Sequence, residues 1–133
     1  MTDRYILDTD TIVDVLRGRS EVAMRLAALS PDDVRVSAIS VAELHYGAID
    51  SSDPARNHAE VERLLEQIAI LPFGRASALA HARVRAATRR QPIGGADMII
   101  AATALAVDAV VVTSNLRAFE RVPKLRMESW RGV

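Results

Sequence analysis

Apolar and polar positions fall into blocks along the chain, and the spacing switches repeatedly between short continuous apolar runs and a helical period. Tyr5-Ile6-Leu7 is a short run ending at Asp8 and predicts a buried strand, after which Thr11 to Arg17 predicts a helix closed by Gly18. A second helix is expected from an N-cap at Ser20 to Leu29, followed by turn chemistry at Pro31-Asp32-Asp33 and a strand over Val34 to Ser37. Ser40 opens a third helix, Val41 to about Ile49, and Ser51-Ser52-Asp53-Pro54 forms a loop. Beyond it, Val61, Leu64, Leu65 and Ile68 recur at the spacing of an amphipathic surface helix. Ala69 to Phe73 predicts a short strand, and Ala76, Leu79, Ala80, Val84 and Ala87 a further amphipathic helix that stops before Pro92.

Gly94-Gly95 punctuates the chain just ahead of Asp97, and from Asp97 to Val107 nearly every residue is apolar or small, as in a helix buried on almost all sides. Ala109 to Thr113 is a β-branched run of the kind found in a central parallel strand covered on both faces. A short helix over Asn115 to Arg121 and a last strand over Leu125 to Trp130 complete the pattern. Regular alternation of the two element types predicts an α/β fold, a three-layer α/β/α sandwich around a mostly parallel central sheet. With 133 residues and 50% hydrophobic content, the expectation is one domain over residues 1–133 with a core of its own.

Charge narrows the functional classes. Seventeen basic residues balance seventeen acidic ones, so no global positive field attracts nucleic acid, and any such contact must be local or assisted by metal. Cysteine is absent, which excludes thiol nucleophiles, disulfide frameworks and Cys-ligated zinc. No apolar run approaches the ~18 residues of a membrane span, and the N-terminal run is too short for a signal-peptide core. A soluble, cytoplasmic protein is expected, with no membrane contact.

Three carboxylates stand where chemistry is usually placed. Ligands of open α/β sheets collect beyond the carboxyl ends of the strands, which is where Asp8 falls. Asp97 opens an otherwise apolar helix, and Glu43 lies in the first turn of another. Each has a structural alternative: Asp97 as a first-turn carboxylate satisfying free amides, and Glu43 as the far end of a capping box, Ser40-Val41-Ala42-Glu43, reaching back to the Ser40 amide. Together they form an all-oxygen donor set suited to magnesium or manganese. His45, His58 and His81 fall on helices among polar neighbours and are expected at the surface. Aromatic content of 4% offers no base-stacking platform.

Ile6-Leu7-Asp8-Thr9-Asp10-Thr11 resembles the first motif of haloacid-dehalogenase-type phosphatases, in which Asp8 would be nucleophile and Asp10 general acid. In that family a strand ending in Ser or Thr and then a Lys precede the last acidic motif, whereas here Thr113 and Lys124 follow Asp97, so the order is wrong. A second resemblance covers essentially the whole chain. Ile6-Leu7-Asp8-Thr9, Ser40-Val41-Ala42-Glu43-Leu44 with Gly47, Gly95-Ala96-Asp97, and Val112-Thr113-Ser114-Asn115 leading to Phe119 resemble, in order and spacing, the motifs of PIN domains, and more narrowly those of VapC toxins of type II toxin–antitoxin pairs.

That resemblance implies a magnesium- or manganese-dependent endoribonuclease with Asp8, Glu43 and Asp97 as its acidic core. A fourth polar position maps onto Asn115, neutral where relatives carry Asp, which puts two-metal occupancy in question. Asp10 then offers a way to restore acidic character. Thr113 and Asn115 would orient water or phosphate by hydrogen bonds. The resemblance also implies a cognate VapB-like antitoxin, RNA as substrate, a toxin homodimer and a higher toxin–antitoxin hetero-oligomer. Helices around Ile12, Val13, Val15 and Leu16 and around Val61 to Ile68 are candidates for a partner groove. Arg17, Arg19, Arg83, Arg85, Arg89 and Arg90 are candidate phosphate contacts. The alternative to an enzyme is a PIN-like RNA- or protein-binding module without turnover, which the neutral Asn115 keeps open.

Overall fold

The computed structural model describes residues 3–132. Three residues of β1 (Tyr5–Leu7) form the middle of a five-stranded sheet, with β2 (Val34–Ser37) and then β3 (Ala69–Leu71) on one side and β4 (Val110–Val112) and then β5 (Met127–Glu128) on the other. All neighbouring pairs are parallel, with Tyr5 opposite both Val34 and Val110. Parallel neighbours need long crossovers, and helices supply them: α1 (Thr9–Leu16), α2 (Ser20–Ala27), α3 (Ala38–Ile49), α4 (Pro54–Leu65), α5 (Arg75–Ala87), α6 (Gly95–Ala106) and α7 (Leu116–Phe119).

Strand alternation builds the two cores. Ile6 and Val111 point to one face, where they join Val84, Ile93, Ile100, Ala101, Ala104 and Phe119 from α5 to α7 and their loops. Leu7 and Val112 point to the other, packing with Ile12, Val22, Leu44, Val61, Leu65, Ile68 and Trp130. The expected three-layer sandwich is therefore present, with a wholly parallel sheet among the described residues. α6 is the buried helix its composition predicts, with Ile100, Ala101, Ala102 and Ala104 fully inaccessible. No helix among the described residues is long and apolar enough to cross a membrane.

Several boundaries differ from the sequence expectation. The first helix begins at Thr9, two residues early, because Asp8 keeps extended dihedrals and its Oδ1 accepts from the Thr9 amide (2.8 Å). The third begins at Ala38. Its N-cap is Ser37, at the end of β2, whose Oγ accepts from the Ile39 amide (3.3 Å). Ser40 is thus inside the helix, and the capping box weighed as the structural alternative for Glu43 is not formed. Two serines three residues apart offer the same local signal, and the strand running straight into the helix selects the earlier one. Ser20 is likewise the first residue of α2 rather than its cap. The last helix and strand shrink to Leu116–Phe119 and Met127–Glu128.

Histidines also depart from expectation. His45 on α3 and His58 on α4 are half-buried and stack at 4.9 Å, their Nδ1 atoms 2.7 Å apart, while Nε2 of His45 donates to Glu62 Oε1 (2.7 Å). They clasp two helices together. His81 packs edge-on against Phe73.

The chain's end is fixed by Trp130, 1% exposed, whose Nε1 donates to Glu128 Oε2 (2.9 Å) and whose ring meets Tyr5 edge-on and the Arg25 guanidinium at 5.5 Å. Replacing Trp130 with Ala should cost roughly 3–5 kcal/mol in urea unfolding, the range for truncating a buried aromatic. A loss below ~1 kcal/mol would show that the C-terminal segment is not integral to the core.

Candidate active site

Strand order reverses between β1 and β4, since the chain leaves β1 in one direction and later returns to its other side. Such a switch point opens a crevice at the carboxyl ends of the two strands. Asp8 follows β1 and Thr113 follows β4, and their backbones are tied by the Asp8 amide donating to the Val112 carbonyl (2.8 Å). A cleft of about 410 Å³ at this point is lined by Asp8, Thr9, Asp10, Val13, Asp14, Arg17, Glu43, Asp97, Asn115 and Arg131.

The fold therefore gathers Asp8, Glu43, Asp97 and Asn115, each from a different part of the sequence, and adds Asp10 to them. Thr113 is completely buried beneath the cleft, where its Oγ1 donates to Asp8 Oδ2 (2.8 Å) and accepts from the Asn115 amide (2.9 Å). It positions a carboxylate rather than facing the opening. Glu43, freed from any capping role, accepts from the Thr9 hydroxyl (2.6 Å), which also lies 2.9 Å from Ser40 Oγ. Asp10 accepts from the Ser114 amide (3.2 Å) and from the Ser114 hydroxyl. Asp97 occupies the third position of α6, and among the described residues its carboxylate receives no cap hydrogen bond; its Oδ2 lies 3.6 Å from where a Cβ on Gly94 would sit, an ordinary van der Waals distance. The first-turn capping alternative for Asp97 has no bond to support it.

Electrostatics follow from this crowding. Burial, and then the charge of Asp10, push Asp8 up to about 7, despite the opposing hydrogen bonds from Thr113 and the Thr9 amide. Burial also raises Asp97, with Glu43 and Asp10 adding to the effect. The donor chemistry fits a hard divalent cation, which would relieve both the burial and the mutual repulsion. Among the described residues, no three His, Asp or Glu side chains converge tightly enough to enclose an ion as they stand. Thr9 and Ser114 hold Glu43 and Asp10 within the walls.

Among the basic candidates, Arg17 lines the cleft, whereas Arg19 is paired with Glu21 (2.6 Å). Arg83, Arg85, Arg89 and Arg90 line other surface depressions on or after α5. Asp14 and Arg131 are site residues that no local pattern in the sequence marks. Thr9 and Ser114 lie inside the first and last motifs but were given no role of their own; the available signal was their place between candidate site residues, Asp8 and Asp10 around Thr9 and Thr113 and Asn115 around Ser114.

Residues 5–125 match the PIN domain family. The chain is 35% identical to the tRNA(fMet)-specific endonuclease VapC of Salmonella typhimurium over 96% of this chain and 98% of that protein. It is 36% identical to ribonuclease VapC2 of Haemophilus influenzae with the same coverage. The crystal structure of DNA-bound VapBC from Salmonella typhimurium superposes with a TM-score of 0.90 at 34% identity, covering 97% of this chain and 99% of that one. Likeness of this extent displaces the phosphatase reading of Asp8 and Asp10.

A carboxyl group whose folded-state pKa lies above its ordinary value near 4 holds a proton that the unfolded chain has already lost. The contribution of Asp8 to stability is thus fully present below about pH 4 and lost as pH rises through about 7. Thermal unfolding in chelator should show Asp8→Asn gaining on the parent across this window, by roughly 3–8 °C at neutral pH. Equal pH dependence in both proteins would show that Asp8 titrates normally.

Proposed function

The chain belongs to the PIN domain family, among the VapC ribonucleases, and from that premise we propose that it is a divalent-cation-dependent endoribonuclease, the toxin of a VapBC-like pair, acting as one nuclease domain. The observation that carries this reading is the convergence of Asp8, Asp10, Glu43 and Asp97 on one cleft at the switch point of the sheet. Such a set of carboxylates is self-repelling on its own and suited to magnesium or manganese.

Asp8, Glu43 and Asp97 would hold the cation, which when bound acidifies a water for attack on a backbone phosphate and offsets charge on the leaving oxygen. The protein's share is placement. Thr113 fixes one oxygen of Asp8, leaving the carboxylate a single orientation, and Thr9 fixes Glu43. Asp10, on the cleft wall, supplies the negative charge that Asn115 lacks, and Asn115 is left to orient phosphate or water with its amide. Both threonines donate their hydroxyl protons to carboxylates, which assigns them to holding Glu43 and Asp8 in place.

The partner reading rests on the likeness to the solved VapBC complex of Salmonella typhimurium. An apolar groove between α2 and α4, lined by Leu26, Leu29, Leu64 and Ile68, has the chemistry to receive an amphipathic helix of a VapB-like antitoxin. Action on RNA in the cytoplasm, with the antitoxin as regulator, is the biological setting this implies.

The test is cleavage of RNA by purified protein in magnesium, in manganese and in chelator, for the parent and Asp97→Asn. Loss of a residue that merely orients a metal ligand typically costs 10–100-fold, so loss of a ligand itself should lower cutting by more than about a hundredfold. Cutting that persists in chelator or in Asp97→Asn would overturn the proposal. RNA binding without cutting under any condition would favour the non-catalytic module.

A further inference from the structure

The acidic cleft has a fifth carboxylate and two guanidinium groups in its walls, Asp14, Arg17 and Arg131. Asp14 lies near the end of α1 and is buried, and Arg131 reaches it from the C-terminal segment. Nε of Arg131 donates to Oδ2 and Nη2 to Oδ1, both at 2.7 Å. A two-bond fork of this kind fixes the plane of the guanidinium as well as its position. The backbone just before it is also anchored, by buried Trp130 and by the Arg131 amide donating to Ser129 Oγ (3.2 Å).

Only one edge of the guanidinium is used by Asp14. Of five N–H groups two are bonded, and the remaining ones, on Nη1 and Nη2, have no acceptor among the described residues. That free edge belongs to a side chain 40% exposed that lines the same cleft as the four carboxylates, near enough to Asp10 for its charge to help hold Arg131 protonated. An RNA strand crossing this cleft places successive phosphates along it, and those away from the cation need a donor.

We propose that Arg131, held in place by Asp14 and with Arg17 also lining the wall, forms an anion subsite for a phosphate of the RNA backbone next to the one over Asp8 and Asp97. The subsite rests on the part of the proposed function by which RNA binds in this cleft, not on its being cut there. Asp14 is its positioning residue, and Arg131 makes the contact. The planar fork suits two oxygens of one phosphate, a geometry that a lysine ammonium cannot reproduce.

The test is fluorescence-anisotropy binding of a labelled mixed-sequence single-stranded RNA in magnesium, in an Asp97→Asn background that does not cut. Arg131→Gln should weaken binding about tenfold, and the dependence of log affinity on log salt should become shallower by about 0.7, the share of one phosphate contact on a single strand. Arg131→Lys should fall between Arg131→Gln and the parent. Because Arg131→Gln leaves buried Asp14 unpaired, Asp14→Asn/Arg131→Gln, confirmed folded by thermal melting, should give the same loss. Unchanged affinity and salt slope in these variants, whatever their melting temperatures, would overturn the subsite and leave Arg131 as a clamp. Loss of affinity for a polyglutamate peptide but not for RNA, or no RNA binding by the Asp97→Asn protein at all, would also overturn it. If the unsubstituted protein cuts no RNA but the dependence of binding on Arg131 holds, the nuclease reading fails and the subsite stands.

Discussion

Asp8 is the group on which the rest of the site depends. It ends the central strand of a wholly parallel sheet, caps α1 through the Thr9 amide, and gives its other oxygen to the hydroxyl of Thr113, 105 residues away. Each bond favours the charged carboxylate, yet burial and neighbouring Asp10 raise its pKa to about 7. A carboxylate so fully anchored cannot escape its repulsive neighbours by rotating into solvent. Relief comes with a proton, or would come with a bound cation, and that choice is what makes a structural junction a candidate binding site.

Hydroxyls distribute the same constraint across the cleft. Thr113 holds Asp8, Thr9 holds Glu43, and Ser114 holds Asp10. Asp97 has no such partner, and the flanking Gly94 and Gly95 add no side chain against it. Three acidic groups are therefore held by hydroxyls and one, Asp97, is not. On the proposed reading an entering ion would have to draw the carboxylates together, since no three of them converge on one point as they stand.

Most of the fold was readable from the chain because it rests on local signals: the β-branched run around Val111, the apolar block of α6, and the turn at Pro31-Asp32-Asp33 all became the elements they predict. Asp8 and Asp97 stood out for the same reason, one where a strand ends and the other in the first turn of a helix, whereas Glu43 lies a turn and a half into α3 and reaches the cleft from inside the helix. What local pattern cannot decide is a choice between equivalent signals, as with Ser37 and Ser40. It also cannot reveal pairings across long stretches of chain: Thr9 meets Glu43 across 34 residues, Ser114 meets Asp10 across 104, and Arg131 meets Asp14 across 117. The histidine clasp between α3 and α4 was hidden in the same way, since neither histidine alone breaks the pattern of a polar helix face.

Overall neutrality, seventeen charges of each sign, conceals a strongly uneven distribution. The α5 arginines face other depressions, and the cleft itself carries Asp8, Asp10, Asp14, Glu43 and Asp97 against Arg17 and Arg131. On the proposed reading, an anionic strand approaching this surface would meet net repulsion until a cation occupied the carboxylates. Binding and readiness for catalysis would then be coupled by charge: the ion that would activate the attack would also make the cleft hospitable to phosphate. Within such a cleft a single guanidinium fixed by a buried carboxylate has more influence than a mobile surface arginine, because its free edge is already oriented and little side-chain entropy remains to be lost.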